Sequence, residues 1–210
     1  MTTMSSLAQA VGLLECAVRY GLESVESVRP GSLGRPTPCA GWDLGTLLCH
    51  LNESLAALGQ GACGGRIELE GSAAADGRLA IEGLAAGFRD GTRRLLDGWR
   101  RLGSDPDEPP MEVGGAPIAP AAVALVGAIE VAVHGWDVAE ACGQQRPVPV
   151  RLALNLLHWT PLLVGGGAAP DGRARHPLFA APVRVSPLAS PSDRLVGRLG
   201  RSPRGWATGR

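Results

Sequence analysis

Apolar residues recur at helical spacing in four long stretches of this chain, and turn chemistry separates them. Over about residues 4–28, Leu7, Val11, Leu14, Val18 and Leu22 fall at steps of three and four. They form one apolar stripe and predict a helix that ends before Arg29-Pro30-Gly31. Pro36, Pro38 and Gly41 break the next segment, and Asp43 stands where an N-cap belongs, so a second helix is expected from that point. Its stripe is Leu44, Leu47, Leu48, Leu51, Leu55 and Leu58, with Trp42 placed to pack on Leu47 as a hydrophobic staple.

Residues 59–71 read as a glycine-rich connection. Helical spacing resumes over about 73–102 with Leu79, Leu84, Phe88, Leu95, Leu96 and Trp99. Gly83, Gly87, Gly91 and Gly98 each weaken that helix by about 1 kcal/mol relative to alanine. A Pro-rich link over 105–120, read as loop, leads to a nearly all-apolar helix over about 118–142, with Gly143 suited to the position after its C-cap. A further helical piece covers about 149–164. Beyond it Gly and Pro dominate, with a short extended candidate at Pro182-Val183-Arg184-Val185 and a last turn or two of helix at 193–199. The fold class expected is all-α: an antiparallel up-down bundle over residues 1–164, with an irregular appendage over 165–210 packed on it.

Composition narrows the class. With 210 residues, 45% hydrophobic and 19% charged, the chain suits a soluble globular protein with one sizeable core. Its 20 basic residues, all arginine, balance 20 acidic ones, which leaves no net field for a nucleic acid or an anionic membrane surface. The first residues lack the basic region and apolar run of a signal peptide, and no window reaches about 18 uninterrupted apolar residues, so a cytoplasmic location is expected. Five scattered cysteines, never in a C-x-x-C pair, predict reduced thiols that mostly serve as small core residues.

A helix that is apolar nearly all round must be buried, and a buried carboxylate is costly unless it is paired, protonated or bound to a metal. Glu130 is such a residue. His134 lies one turn on along the same face and Asp137 extends it, as a partner behind the first two, a cap partner, or a weaker catalytic candidate. A carboxylate and an imidazole so spaced form two ligands for a divalent cation, although on pattern alone such a pair is more often a hydrogen-bonded core pair. The third ligand candidate is His50 of the second helix, ahead of His158, since His176 falls in the irregular tail. A His/Glu/His set with open positions suits a catalytic more than a structural site. Glu53, one turn beyond His50, is a candidate fourth ligand or base, against the reading of a solvated helix-face carboxylate. Cys49 points about 100° away from His50, which keeps both from one ion.

Two blocks carry a resemblance. Pro36-Thr37-Pro38-Cys39-Ala40-Gly41-Trp42, followed by Leu47-Leu48-Cys49-His50-Leu51, resembles one signature of the mycothiol-dependent maleylpyruvate isomerase N-terminal-like family, a branch of the DinB-like metal-binding bundles. Glu130-Val131-Ala132-Val133-His134-Gly135-Trp136-Asp137-Val138-Ala139 resembles its other signature. Phe179 to Pro182, Ser192-Asp193-Arg194-Leu195 and Leu199-Gly200-Arg201 are similar to the ending of its short members.

The resemblance implies a DinB-like four-helix bundle holding a divalent metal through His50, Glu130 and His134, most often Zn2+, with Ni2+ or Fe2+ as alternatives. It implies a small-molecule substrate, a low-molecular-weight thiol such as mycothiol, and a monomer or homodimer. The metal would activate the thiol, its adduct or water for isomerisation or thiol transfer. A metal-binding stress or partner protein without turnover, and a secondary-metabolism lyase or cyclase using the metal as a Lewis acid, are the competing functions. The chain after the bundle reads as too short for the isomerase's separate C-terminal domain with its catalytic arginine, and no motif aligns Arg173, Arg175, Arg184 or Arg194 with that role. Phe179, between Pro177 and Pro182, predicts a stiff lid over the site, with Arg184 available to an acidic substrate.

Overall fold

The computed structural model describes residues 6–29, 31–68, 81–103, 110–163 and 179–203. Its elements are α1 (Leu7–Val25), α2 (Leu44–Gly64), β1 (Arg66–Ile67), α3 (Ile81–Leu102), β2 (Met111–Val113), β3 (Ala116–Ile118), α4 (Pro120–Ala141), α5 (Val150–Leu163) and α6 (Pro191–Arg198). Helix starts follow the local chemistry. Ser6 and Gln9 make a reciprocal capping box on α1, Asp43 Oδ1 accepts the Thr46 amide of α2 at 2.8 Å, and Pro120 opens α4, where its missing N–H costs nothing.

The protein is mostly helical, as expected, and α1 to α4 form the bundle. Contacts fix their directions. Gly87, Gly91 and Gly98 of α3 face Asn52, Leu55 and Ala62 of α2 in ascending order, so these two helices run parallel. Glu15 of α1 pairs with Arg100 while Gly21 meets Phe88, so α1 opposes α3. Gly127 meets Leu58 while Glu130 meets His50, so α4 opposes α2. The order is up-down-down-up rather than simple alternation. The long α2–α3 connection permits it: sixteen residues reach about 53 Å when extended, and α3 is about 33 Å long.

Three elements differ from the sequence reading. Helix α2 continues through residues 59–64, where Gly61 allows a close approach: a Cβ there would lie 2.8 Å from the Ile67 side chain. The supposed loop before α4 holds the β2–β3 hairpin, turned by Gly114 and Gly115, both at positive φ, a two-residue turn that favours glycine. β1 joins it in parallel, with Glu112 N–H donating to Gly65 C=O at 2.7 Å. The cysteines are unpaired but not core residues: Cys16, Cys49 and Cys63 are exposed, and Cys39 and Cys142 half-buried.

Helix α4 is the central element. By length and apolarity it could cross a membrane, yet almost all of it is buried among the other helices, which accounts for its composition. Gly135 makes room for this packing, since a Cβ there would lie 3.2 Å from Gly21 Cα of α1. The C-terminal segment shares the same core through Phe179, Leu195, Val196 and Leu199. Of it, residues 165–178 include positions outside the described residues, among them Arg173, Arg175, His176 and Pro177.

Candidate metal centre

α2 and α4 bring His50, Glu130 and His134 together across the bundle. Glu130 Oε1 lies 2.5 Å from His50 Nε2 and 3.3 Å from His134 Nε2. Glu130 and His134 share a face of α4 one turn apart, and His50 enters from the opposing helix. Ser54, one turn beyond His50, adds a hydroxyl 3.3 Å from His50 Nε2 that donates to Glu130 Oε1 at 3.5 Å.

Behind His134 lies a second layer. Its Nδ1 is 2.9 Å from Asp137 Oδ2, and Arg201 Nη2 donates to that same oxygen at 2.8 Å. Arg201 Nη1 also donates to Leu199 C=O at 2.8 Å, and its guanidinium lies over the Phe179 ring. Gly200, at φ +88°, turns the chain after α6 so that Arg201 points into the core; a Cβ there would lie 2.6 Å from Ala180.

Charge follows geometry. Burial pushes the Glu130 carboxyl up, but His134 and His50 outweigh it and hold the group well below the usual carboxylate range. Burial lowers His134, and Glu130 with Asp137 overcomes this, raising the imidazole to about 9 without a metal. Burial likewise opposes ionisation of Asp137, yet Arg201 and His134 hold it below its ordinary value.

The donor set fits a divalent metal. Two nitrogens and a carboxylate oxygen lie within 4.8 Å of one another. Ligand atoms about 2.0–2.1 Å from a tetrahedral zinc stand about 3.3–3.4 Å apart, close to the His134–Glu130 spacing. His134 Nε2, fully buried, has no hydrogen-bond partner and faces the other two ligands. Glu130 Oε1, 3.3 Å away, is its charged neighbour there, so a buried nitrogen and a buried carboxylate oxygen face one another as a donor pair suited to a metal. Asp137 then plays the part of the carboxylate that orients a metal-ligating histidine through its other nitrogen. Cys39, His134 and Asp137 also converge within 4.8 Å, but Arg201 already occupies that side with a fixed positive charge.

The other candidates separate. Asp137 has no exposed surface and acts through His134 rather than on a substrate. Glu53 is exposed, on the rim of the α2–α3 groove and outside the ligand cluster. Arg184 is exposed as well. The segment around it packs on α6, with Val183 N–H donating to Gly197 C=O at 2.8 Å, and Phe179 is buried against Arg201 instead of covering the open side of the centre. Trp42 is more than a staple: its ring is 4.8 Å from that of His50 and stacks 6.0 Å from that of His134, which walls the site. Arg201 was missed. The signal for it was two buried carboxylates on α4, Glu130 and Asp137, against the single histidine of that helix, and the arginine that ends the Leu199-Gly200-Arg201 block.

Two histidines and a glutamate joined from facing helices in the core of a bundle are a donor set of the kind that can hold a divalent metal. Residues 14–139 match the family model described as the mycothiol maleylpyruvate isomerase N-terminal domain, and the chain belongs to that family. Two solved structures share its fold. One is the mycothiol-dependent maleylpyruvate isomerase, at 19% identity and a TM-score of 0.54 over 82% of this chain and 81% of that one. The other is a histidine-to-alanine mutant of that enzyme, at 18% identity, with a TM-score of 0.55 and the same coverage. Shares of 82% and 81% make the two chains about equal in length. No curated protein matches the sequence.

Proposed function

We propose that the protein is a metal-dependent enzyme that acts on a small molecule together with a low-molecular-weight thiol, as an isomerase or S-transferase, with zinc held by His50, Glu130 and His134. The convergence of His50, Glu130 and the fully buried His134 Nε2 within 4.8 Å carries this reading; family membership supplies the thiol. A zinc ion bound there lowers the pKa of a thiol beside it, so that the anion exists near neutral pH.

The chain supplies the rest. Asp137 Oδ2 accepts a hydrogen bond from the His134 Nδ1–H, which would leave Nε2 as the ligating nitrogen once a metal displaces its proton. Arg201 compensates the Asp137 charge, so this pair adds no net charge to the core. Ser54 donates to Glu130 Oε1 and holds it between the two imidazoles. Trp42 shields the ring faces of both histidines from water, which strengthens electrostatic interactions inside the site.

Cobalt substitution tests the reading. The Co2+-loaded protein titrated with mycothiol is expected to gain a sulfur-to-cobalt charge-transfer band in the near ultraviolet. A cobalt spectrum that millimolar mycothiol leaves unchanged overturns it.

A further inference from the structure

A small pocket of about 240 Å3 opens beside the C-terminal ends of α1 and α4. Ser27, Arg29, Gly31, Ser32 and Arg35 line it from the segment that leads out of α1, and Cys142 lines it from the C-cap of α4. Cys142 is eight residues beyond His134, about 12 Å along the helix axis, so this pocket is distinct from the metal centre.

Two guanidinium groups meet there without an acid. Among the described residues no carboxylate lines the pocket or pairs with Arg29 or Arg35, whereas Arg66, Arg93, Arg100, Arg146 and Arg201 each have one. Arg29 Nη1 donates to Glu26 C=O at 3.1 Å and Arg35 Nη1 to Ala141 C=O at 3.3 Å, so each side chain is tethered to a helix end. A guanidinium carries five N–H donors. Helix capping engages one on each arginine and leaves the others to water or to an anion.

The backbone that presents both arginines is fixed in advance. Ser32, buried, donates its hydroxyl to Arg29 C=O at 2.6 Å and accepts Arg29 N–H at 3.3 Å. Ser32 N–H closes a turn onto Arg29 C=O at 3.1 Å, with Gly31 at φ +83°, and Arg35 N–H donates to Ser32 C=O at 3.0 Å. Little ordering of the loop is then required when a ligand enters, which favours binding.

Charge and size define what fits. Two uncompensated positive charges match a dianion, and the arginine fork takes phosphate oxygens in pairs. Sites that enclose drug-sized molecules measure about 300–1,000 Å3, so this smaller one suits a phosphate and the few atoms attached to it. We propose that the pocket between Arg29, Arg35 and Cys142 is a binding site for a phosphate group, as the free ion or as the end of a small phosphomonoester, separate from the metal centre.

Isothermal titration calorimetry of the full chain with inorganic phosphate, glycerol phosphate and acetate, at constant ionic strength, tests this. One equivalent of phosphate or glycerol phosphate is expected to bind, with acetate about tenfold weaker or more. Arg29→Gln and Arg35→Gln, both at exposed positions, should each weaken phosphate about tenfold. Arg151→Gln on α5 and His50→Ala in the metal centre should leave it within about twofold. Tighter binding of glycerol phosphate than of inorganic phosphate supports the esterified ligand, and the reverse order supports the free ion. Native affinity in both arginine variants, acetate binding as tight as phosphate, or no heat from either phosphate at millimolar concentration overturns the assignment. Loss of phosphate binding in folded His50→Ala but not in the arginine variants also overturns it, by placing the anion at the metal centre.

Discussion

Asp137 Oδ2 is shared by two donors, Nδ1 of His134 at 2.9 Å and Nη2 of Arg201 at 2.8 Å, with no exposed surface on either Asp137 or His134. The C-terminal segment is thereby tied to the back of His134, a proposed metal ligand. Three consecutive charged or polar groups in the core are tolerated because each has its partner.

Removing one member should therefore cost more than removing the pair. Arg201→Met leaves Asp137 buried without its cation and should destabilise the fold by about 3–5 kcal/mol, whereas Asp137→Asn with Arg201→Met should recover part of that loss. Urea unfolding of the metal-free proteins measures both. Asp137→Ala should also weaken zinc binding by about 10–100-fold; an affinity that does not move would remove Asp137 from any part in the centre.

One zinc per chain is expected by elemental analysis, together with a rise in melting temperature on zinc addition. His134→Ala should abolish both. His158→Ala, at an exposed position on α5, should change neither. Equal losses in the two variants would show that the ligand set is misassigned.

Protons and zinc compete for His134. Its folded pKa of about 9 lies above the unfolded value near 6.5, so its contribution to the metal-free fold is fully present below about pH 6.5 and is lost as pH rises through about 9. Zinc needs the unprotonated Nε2, so its binding near pH 7 should release a proton and tighten as pH rises. Calorimetry in buffers of different ionisation enthalpy counts that proton. Asp137 acts in the opposite direction: its depressed pKa adds stability above about pH 4 that is lost as pH falls through the folded value.

Asp43 and Trp42 are neighbours with different duties. Asp43→Ala removes the α2 cap and should cost about 0.5–2 kcal/mol with zinc affinity retained. Trp42→Ala should instead open the faces of His50 and His134 and alter the cobalt spectrum. Thermal unfolding and absorption spectra distinguish the two effects. Loss of metal in folded Asp43→Ala would move Asp43 into the site.

The ligand helices were legible because α4 is apolar all round, so a glutamate and a histidine one turn apart stood out against it. Asp43 declared the start of α2 by its chemistry. What the sequence concealed was of two kinds. The glycines at 59–64 read as a breaker although α2 runs through them, and the close approach of Ile67 to Gly61 is visible only in the folded chain. The hairpin around Gly114 and Gly115 was hidden by strands of three residues each, too short to show alternation. Arg201 lay beyond local reasoning altogether, since its partner is sixty-four residues earlier and only the tertiary fold pairs them.

That separation imposes an order on the birth of the molecule. At about 5–20 residues per second, the ribosome adds Arg201 roughly 3–13 s after Asp137. In the interval the nascent helix α4 carries a carboxylate destined for the interior without the guanidinium that compensates it. Until that arginine arrives the Asp137 carboxylate has His134 alone for a partner, so the layer behind this histidine can close only near the end of the chain's synthesis.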